Sequence, residues 1–272
     1  VTLNRAFDPA LLAAAEDAAL NASAPPEQLW LDGWLVRLNP GKAKRARSVH
    51  ALARGRRPLA AKIAEVQQLY AAAGLPCYFR LTPFSEPPGL EPQLAAAGFV
   101  REENTRVMVA HLGDRSPAAA DALSPLPDGT ALVRPSPEGY ADAVGAVRGS
   151  SATERAAHAR RLIASPVPYL GQLLVRSADG AVLAGGQWAR EGRFVGLYDV
   201  FTHPEHRRQG HASRLCAAML AQAAAAGAKV AYLQVEAGNA AARSIYERLG
   251  FADAYGYHYR RGPAPGGATA SA

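Results

Sequence analysis

The sequence predicts an α/β (α+β) fold built as two consecutive modules, and three observations predict it. Segments with helical apolar spacing alternate along the chain with period-2 runs such as Tyr169-Leu170-Gly171-Gln172-Leu173-Leu174-Val175. Residues 113–129 carry Gly-Asp-Arg-Ser-Pro and then Ser-Pro-Leu-Pro-Asp-Gly, have no periodic apolar face to bury, and read as a linker. The order helix, Gly, strand, helix, Gly-Phe, strand occurs on both sides of that linker. Ala71-Ala72-Ala73-Gly74 before Cys77-Tyr78-Phe79-Arg80-Leu81 matches Ala224-Ala225-Ala226-Gly227 before Val230-Ala231-Tyr232-Leu233-Gln234 at an offset of 153, and Leu94 to Phe99 matches Tyr246 to Phe251 at an offset near 152.

In the front module the chain reads helix 8–21, strand 29–38, a basic irregular stretch 39–57, helix 58–73, strand 76–82, a short helix 89–97 and strand 99–111. The back module reads strand 130–135, helices 137–148 and 151–164, and strands 167–177, 181–190 and 193–202. It continues with helix 210–226 stopped by Gly227, strand 229–236, helix 239–249 stopped by Gly250, and strand 251–261. The chain holds 60 alanines, so much of its apolar fraction is helix filler and helices should be many. Trp30 and Trp34, four apart on one strand, are expected on the same side, in the core or at a domain contact. The resulting domains are 1–112, a linker 113–128, 129–262, and a flexible tail 263–272.

Of the 272 residues 49% are apolar and 19% charged, which supplies a core and excludes general disorder, collagen and coiled coil. Two cysteines, Cys77 and Cys216, form no disulfide framework and give no paired-ligand zinc spacing, which fits a reducing compartment and no metal. Residues 1–20 contain Asp8, Glu16 and Asp17 and lack the basic start and compact apolar stretch of a secretion signal. No apolar run reaches 18 residues, so a cytoplasmic protein without a membrane partner is expected, as monomer or homodimer. Residues 37–57 hold eight Lys or Arg and no acid. That run is short and lacks interleaved aromatics, so nucleic acid is not the expected partner; a solvated face or a site for an acidic substrate accounts for it equally well.

The chemistry concentrates in residues 197–214, Leu-Tyr-Asp-Val-Phe-Thr-His-Pro-Glu-His-Arg-Arg-Gln-Gly-His-Ala-Ser-Arg, followed directly by an Ala-rich helix. A strand that turns into a helix at Gly210, His211 and Ala212 leaves backbone N–H groups unpaired at the positive end of the helix dipole, where phosphate binds. Gly210 has no Cβ to keep an anion away, Ala212 keeps the approach narrow, and Arg207, Arg208 and Arg214 add charge suited to a phosphate. Downstream, Gln234-Val235-Glu236-Ala237-Gly238-Asn239 ends a strand, and the next helix runs from Asn239 through Tyr246 to Gly250-Phe251.

The two elements together resemble the acyl-CoA signature of the GNAT superfamily of N-acetyltransferases: an Arg/Gln-x-x-Gly-x-Gly/Ala loop, then Asn, Ala three later, Tyr seven later, and Gly-Phe. The resemblance covers residues 129–261, and the front half joins it only through the repeat. It implies two GNAT-like modules, each a mixed twisted sheet flanked by helices, with a catalytic back module and a degenerate front one. Carried over by position, it implies acetyl-CoA as acetyl donor. The backbone of Val200, Phe201 and Thr202 would lie along the pantetheine arm, and the N–H groups of Arg208, Gln209, Gly210, His211, Ala212 and Ser213 would hold the pyrophosphate. Asn239 would touch the pantetheine region and Tyr246 would sit beside the sulfur. Ala212 departs from the commoner Gly.

A primary amine is protonated near pH 10 and below, so the site needs a base or a water path to one, and the leaving thiolate needs a proton. Tyr246 is the expected acid. Glu236, Asp199, Tyr198 and His203 all remain open as base, with Glu236 and Asp199 carried forward as candidates. The expected function is N-acetyl transfer to the primary amine of a small molecule; a non-catalytic acyl-CoA-binding regulator and a protein N-terminal or lysine acetyltransferase are the alternatives. At the repeat offset the front module has Arg57, Pro58 and Leu59 where the back has Gly210, His211 and Ala212, so it should keep the fold, lack the cofactor site and cover the acceptor cleft.

Overall fold

The computed structural model describes residues 2–113 and 126–264; most of the linker expected at 113–128 and of the tail expected at 263–272 lies outside the described residues. The front half comprises α1 (Pro9–Ala22), β1 (Gln28–Leu31), β2 (Trp34–Arg37), a 3-10 turn (Lys44–Arg47), β3 (Val49–Ala51), α2 (Leu59–Ala72), β4 (Tyr78–Leu81), α3 (Leu90–Ala96) and β5 (Val100–His111). The back half comprises β6 (Thr130–Val133), α4 (Pro137–Val147), α5 (Ala152–Ala164), β7 (Tyr169–Arg176), β8 (Val182–Glu191) and β9 (Phe194–Thr202). A 3-10 turn (Pro204–His206), α6 (His211–Ala225), β10 (Val230–Glu236), α7 (Ala240–Arg248) and β11 (Ala252–Arg261) complete it.

Local chemistry explains the helix starts. Asp8 and Ser136 each cap a helix whose first residue is proline, and Ser151 with Glu154 forms a reciprocal capping box on α5. The strand expected at 29–38 is instead a hairpin, β1 against β2, because Asp32 and Gly33 both take positive φ (44° and 87°) in a two-residue turn. That turn overturns the pairing of the tryptophans: Trp34 is fully buried and Trp30 is 66% exposed. The basic stretch 39–57 is also less irregular than expected, since it holds the 3-10 turn and β3.

The eleven strands among the described residues form one sheet, in the order β1-β2-β3-β4-β11-β5-β10-β9-β8-β7-β6. Neighbours are antiparallel except β3 with β4 and β9 with β10, the two pairs joined by the crossover helices α2 and α6. The repeat therefore appears as geometry, with α2 matching α6, β4 matching β10, and α3 matching α7. The sheet does not follow the boundaries expected at 112 and 129. Strand β5 is hydrogen-bonded to β10 on one side and to β11 on the other, and β11 lies between β5 and β4. The final strands of the two halves have exchanged places. The sequence is silent on this because β5 and β11 occupy equivalent positions in the repeat.

Helices cover both faces. Met108, Ala110 and Leu233 pack under α6 and α7, while Phe79 and Leu81 pack under α2 and α3. On the opposite face Val107, Val109, Tyr232 and Tyr255 meet α1, and Leu173 and Phe201 meet Tyr140 of α4 and Leu162 of α5. Glu16 of α1 fixes that helix to the exchange. It is 4% exposed, ion-paired to Arg80 of β4, and accepts the Tyr255 hydroxyl of β11. Burial by itself would raise the Glu16 pKa, but the Arg80 charge and the hydrogen bonds from Arg80 and Tyr255 hold it below the usual carboxylate range.

Two outcomes follow. Cutting the chain at a protease site engineered within residues 114–125 should leave the halves inseparable by native size exclusion, with separation only in denaturant, because each half owns a strand inside the other's part of the sheet. Glu16 has a depressed folded pKa, so its contribution is present above the unfolded carboxylate value of about 4.3 and is lost as pH falls through the folded one. Glu16→Gln should therefore destabilise by about 3–5 kcal/mol near neutrality, and the gap in melting temperature from the wild type should narrow as the pH is taken below about 4.3.

Candidate functional site

The site is built where two parallel strands part. β9 and β10 pair from Phe194 and Val230 only as far as Leu197 and Leu233. Beyond that point β10 stays with β5, whereas β9 follows β8 through a register shift between Gly185 and Gln187. Two residues of β9, Asp199 and Val200, face one of β8 there, and Asp199 takes φ 50°, so the strand bulges away from β10 and a wedge opens.

On one side of the wedge lies a cleft of ≈720 Å³ lined by Arg148 at the end of α4, Val200 to Thr202 of β9, the start of α6, and Asn239 to Arg248 around α7. α6 begins on Gly210, in the left-handed region at φ 77°, with no side-chain cap. Its first amides are therefore free and face the cleft. Arg208, also left-handed at φ 63°, lines the approach with Arg207. A side chain at 210 would be strained by its φ and would place its Cβ 2.8 Å from Arg214 Nη1, which donates to the Gln209 carbonyl at 2.9 Å.

Val200, Phe201, Thr202, Arg208, Gly210, His211, Ala212, Ser213, Asn239 and Tyr246 all line this cleft. Gln209 does not; its side chain turns to His211 Nε2 at 3.1 Å. Asn239 accepts from the Ala242 N–H at 3.1 Å and so caps α7 as well. Tyr246, 9% exposed, packs edge-on to Phe251, and its hydroxyl has no hydrogen-bond partner among the described residues. Burial, then the nearby Cys216, push this phenol well above its ordinary pKa, against a smaller opposing effect of Arg148.

The base candidates separate. Asp199 is not in the cleft; it lines a second cavity of ≈160 Å³ with Asn39 and Lys42 of the front half and His158 and Arg161 of α5. Burial alone would raise its pKa, but His158 at 3.2 Å, then the Arg148 and Arg161 guanidiniums, hold it well below the usual carboxylate range. Arg148 Nη1 is 2.8 Å from one oxygen and Gln187 Nε2 3.2 Å from the other. A carboxylate held this firmly ionised is a weak proton acceptor, so the reading of Asp199 as base does not fit its surroundings. Tyr198 shares a 2.7 Å hydrogen bond with Tyr232 and is raised by burial, which keeps it protonated. Glu236 is exposed at the end of β10, past the last residue paired to β9. Arg148, which lines both cavities, was not found from sequence; its partner Asp199 is 51 residues away and no local pattern joins them.

Neither cysteine suits nucleophilic chemistry: burial pushes both Cys77 and Cys216 to about 12. His203, Glu205 and His206 bring one ligand atom each within 4.8 Å on the turn before α6, but Arg176 Nη2 stands 3.4 Å from His206 Nε2 and opposes a cation there. The corresponding loop of the front half is closed from within. Asp32 accepts from the Arg56 and Arg57 N–H groups at 2.9–3.0 Å and lies 3.4 Å from Lys62, and those backbone bonds, Arg57 first, lower its pKa to about 2. No helix among the described residues is long and apolar enough to cross a membrane.

A mycothiol acetyltransferase from Clavibacter michiganensis subsp. michiganensis is 42% identical over 91 residues, 33% of this chain, and the match spans only 29% of that protein's length. A GCN5-related N-acetyltransferase from Kribbella flavida superposes with a TM-score of 0.63 at 18% identity, over 93% of this chain and 95% of that one. A tandem GNAT protein from the clavulanic acid biosynthesis pathway superposes at 0.61 with 19% identity, over 75% and 70% of the two chains. These structures show that the fold is the GNAT fold in tandem. The sequence model of the family described as "Probable histone acetyltransferase Rv0428c C-terminal" matches residues 10–260, taking in both halves of the sheet, and the chain belongs to that family.

Proposed function

We propose that the protein transfers an acetyl group from acetyl-CoA to the primary amine of a small-molecule acceptor. The observation that carries this reading is the uncapped start of α6, which opens through Gly210 into a cleft that reaches Tyr246. In this reading the amides from Arg208 to Ser213 hold the pyrophosphate, with Arg207 and Arg208 adding charge. Strand residues Val200 to Thr202, freed from β10 by the bulge, run beside the pantetheine arm. The amine enters through the wedge from the other face.

The chain's residues then have separate tasks. Glu236, directly or through a water, takes the proton that an ammonium must lose before its nitrogen can attack. An N–H of the Val200 to Thr202 strand donates to the carbonyl oxygen as negative charge builds on it. Tyr246 gives its proton to the departing thiolate, and burial, by raising its pKa, favours the protonated form from which the step starts. With Cys216 held as a thiol, the acetyl group passes directly to the amine. The small acceptor is supported by the ≈160 Å³ cavity roofed by Asn39 and Lys42.

Acetyl-CoA at a hundredfold excess over its Kd should stabilise the chain by about 2.7 kcal/mol, at one site per chain by calorimetry, since Asp32 fills the front loop. Gly210→Val should lose that thermal shift while still melting cooperatively; normal binding by the variant would refute the phosphate-loop assignment. Tyr246→Phe should lower kcat by roughly one to three orders of magnitude with Kd for acetyl-CoA unchanged, measured as thiol release under conditions where chemistry limits the rate.

A further inference from the structure

The fold supplies partners for most of its deeply placed cations. Arg80 meets Glu16, and Lys62 donates to the Asp32 carbonyl at 2.7 Å. Arg37 donates to the Leu20 carbonyl at 2.8 Å and to Ser23 Oγ at 3.1 Å, while Arg161 reaches the Tyr169 hydroxyl at 3.4 Å. Arg45, on the front-half 3-10 turn, is different. Among the described residues its guanidinium meets no carboxylate and no hydrogen-bond acceptor, and Nη1 is buried without a partner. It lies 5.5 Å over the ring of Tyr198. Burial would lower its pKa, but Tyr257 and Tyr198 more than offset that and keep it charged. The Tyr198 ring face meets the charge and leaves the N–H donors unmet.

The position of Arg45 gives the unmet donor a meaning. Tyr198 and Gln234 are the first residues of β9 and β10 after their pairing ends, so Arg45 stands at the apex of the wedge, on the face opposite the cleft. Gln234 there has the same deficit: Oε1 accepts from the Tyr257 hydroxyl at 2.7 Å, while Nε2 is buried with no partner. Arg47 also has an unpartnered buried nitrogen, Nε, but it stands over Tyr78 of β4, with β11 and β5 between it and the wedge. Two orphaned donors, one charged and both set among tyrosines, are an incomplete anion site. A planar guanidinium matches the two oxygens of a carboxylate, and the Gln234 amide adds a further donor on the same face of the wedge.

We infer that the acetyl acceptor is an amine that also carries a carboxylate, bound by Arg45 of the front half and Gln234 of β10 at the apex of the wedge. The inference rests on the acetyl-transfer reading, because only that reading places the acceptor on this face.

The test uses the full chain and a panel of twenty amino acids, each set against its own carboxamide, with O-phosphoethanolamine as the phosphate-bearing arm, read as thiol release from acetyl-CoA. At least one amino acid should be acetylated at a kcat/KM about 10- to 100-fold above that of its carboxamide. Arg45→Gln should raise KM for that amino acid by a similar factor with the KM for acetyl-CoA unchanged, and Arg45→Lys should recover part of the loss. Carboxamides used as well as acids, or no turnover of either, would overturn the inference, as would a preference for the phosphate over every carboxylate. Because the acid and amide comparison is made on the wild type, poor folding of a variant does not blunt it. Acetyl-CoA binding by calorimetry separates the two readings: turnover of neutral amines sinks only the carboxylate site, whereas absence of acetyl-CoA binding sinks acetyl transfer as well.

Discussion

The rest of the site depends on where β9 and β10 stop being partners. Parallel strands hold each other through evenly spaced hydrogen bonds, so a wedge between them exposes backbone groups that need other partners. The chain leaves those inner groups open and holds each strand from its other side. β5 keeps pairing with β10 from Thr105 to His111, and β8 carries β9 past the bulge as far as Thr202. Each departing strand is thus held rigidly on its outer edge while its inner edge is open. A site on strands fixed in this way is positioned more accurately than one on loops.

The same bulge arranges the charges. With Asp199 turned out of the β9 line, its carboxylate points toward α5 and collects His158 at 3.2 Å and Arg148 at 2.8 Å. Arg148 is thereby held between the two cavities, near Tyr246 on one side and Asp199 on the other. Asp199 holds that guanidinium in place, and the front half covers it through Lys42, whose Nζ reaches the Arg148 carbonyl at 3.4 Å. Residues of both halves therefore line the second cavity, while the equivalent loop of the front half is closed by Asp32.

What the sequence makes legible is what is local. The start of α6 could be read because glycine before an Ala-rich helix, with arginines just ahead, is a pattern a few residues long. The helix starts at Asp8, Ser136 and Ser151 are local in the same way. Asp32-Gly33 carried a two-residue hairpin signal between apolar residues, yet the flanking run reads as one continuous strand until the positive φ values are seen. Other features were out of reach in principle. Nothing within several residues of Arg148 or Arg45 tells which side chain each will meet, because their neighbours come from β9, β10 and β11. The identity of β5 and β11 in the repeat likewise hides which of them pairs with β10.

That exchange sets a timetable for synthesis. β4, paired to β3 on one side, finds its other neighbour only in β11, whose residues His258 to Arg261 are made some 180 residues later, and β5 waits for β10 across more than 100 residues. Until then the front half emerges with β4 as an open edge whose every side chain is destined for burial. Closing such long loops is slow, and the unpaired strand is exposed to other nascent chains meanwhile. The architecture that joins the two halves into one sheet therefore makes the front half dependent on prompt completion of the back, so a ribosome stalled between residues 112 and 230 would hold a front half unable to finish its own sheet.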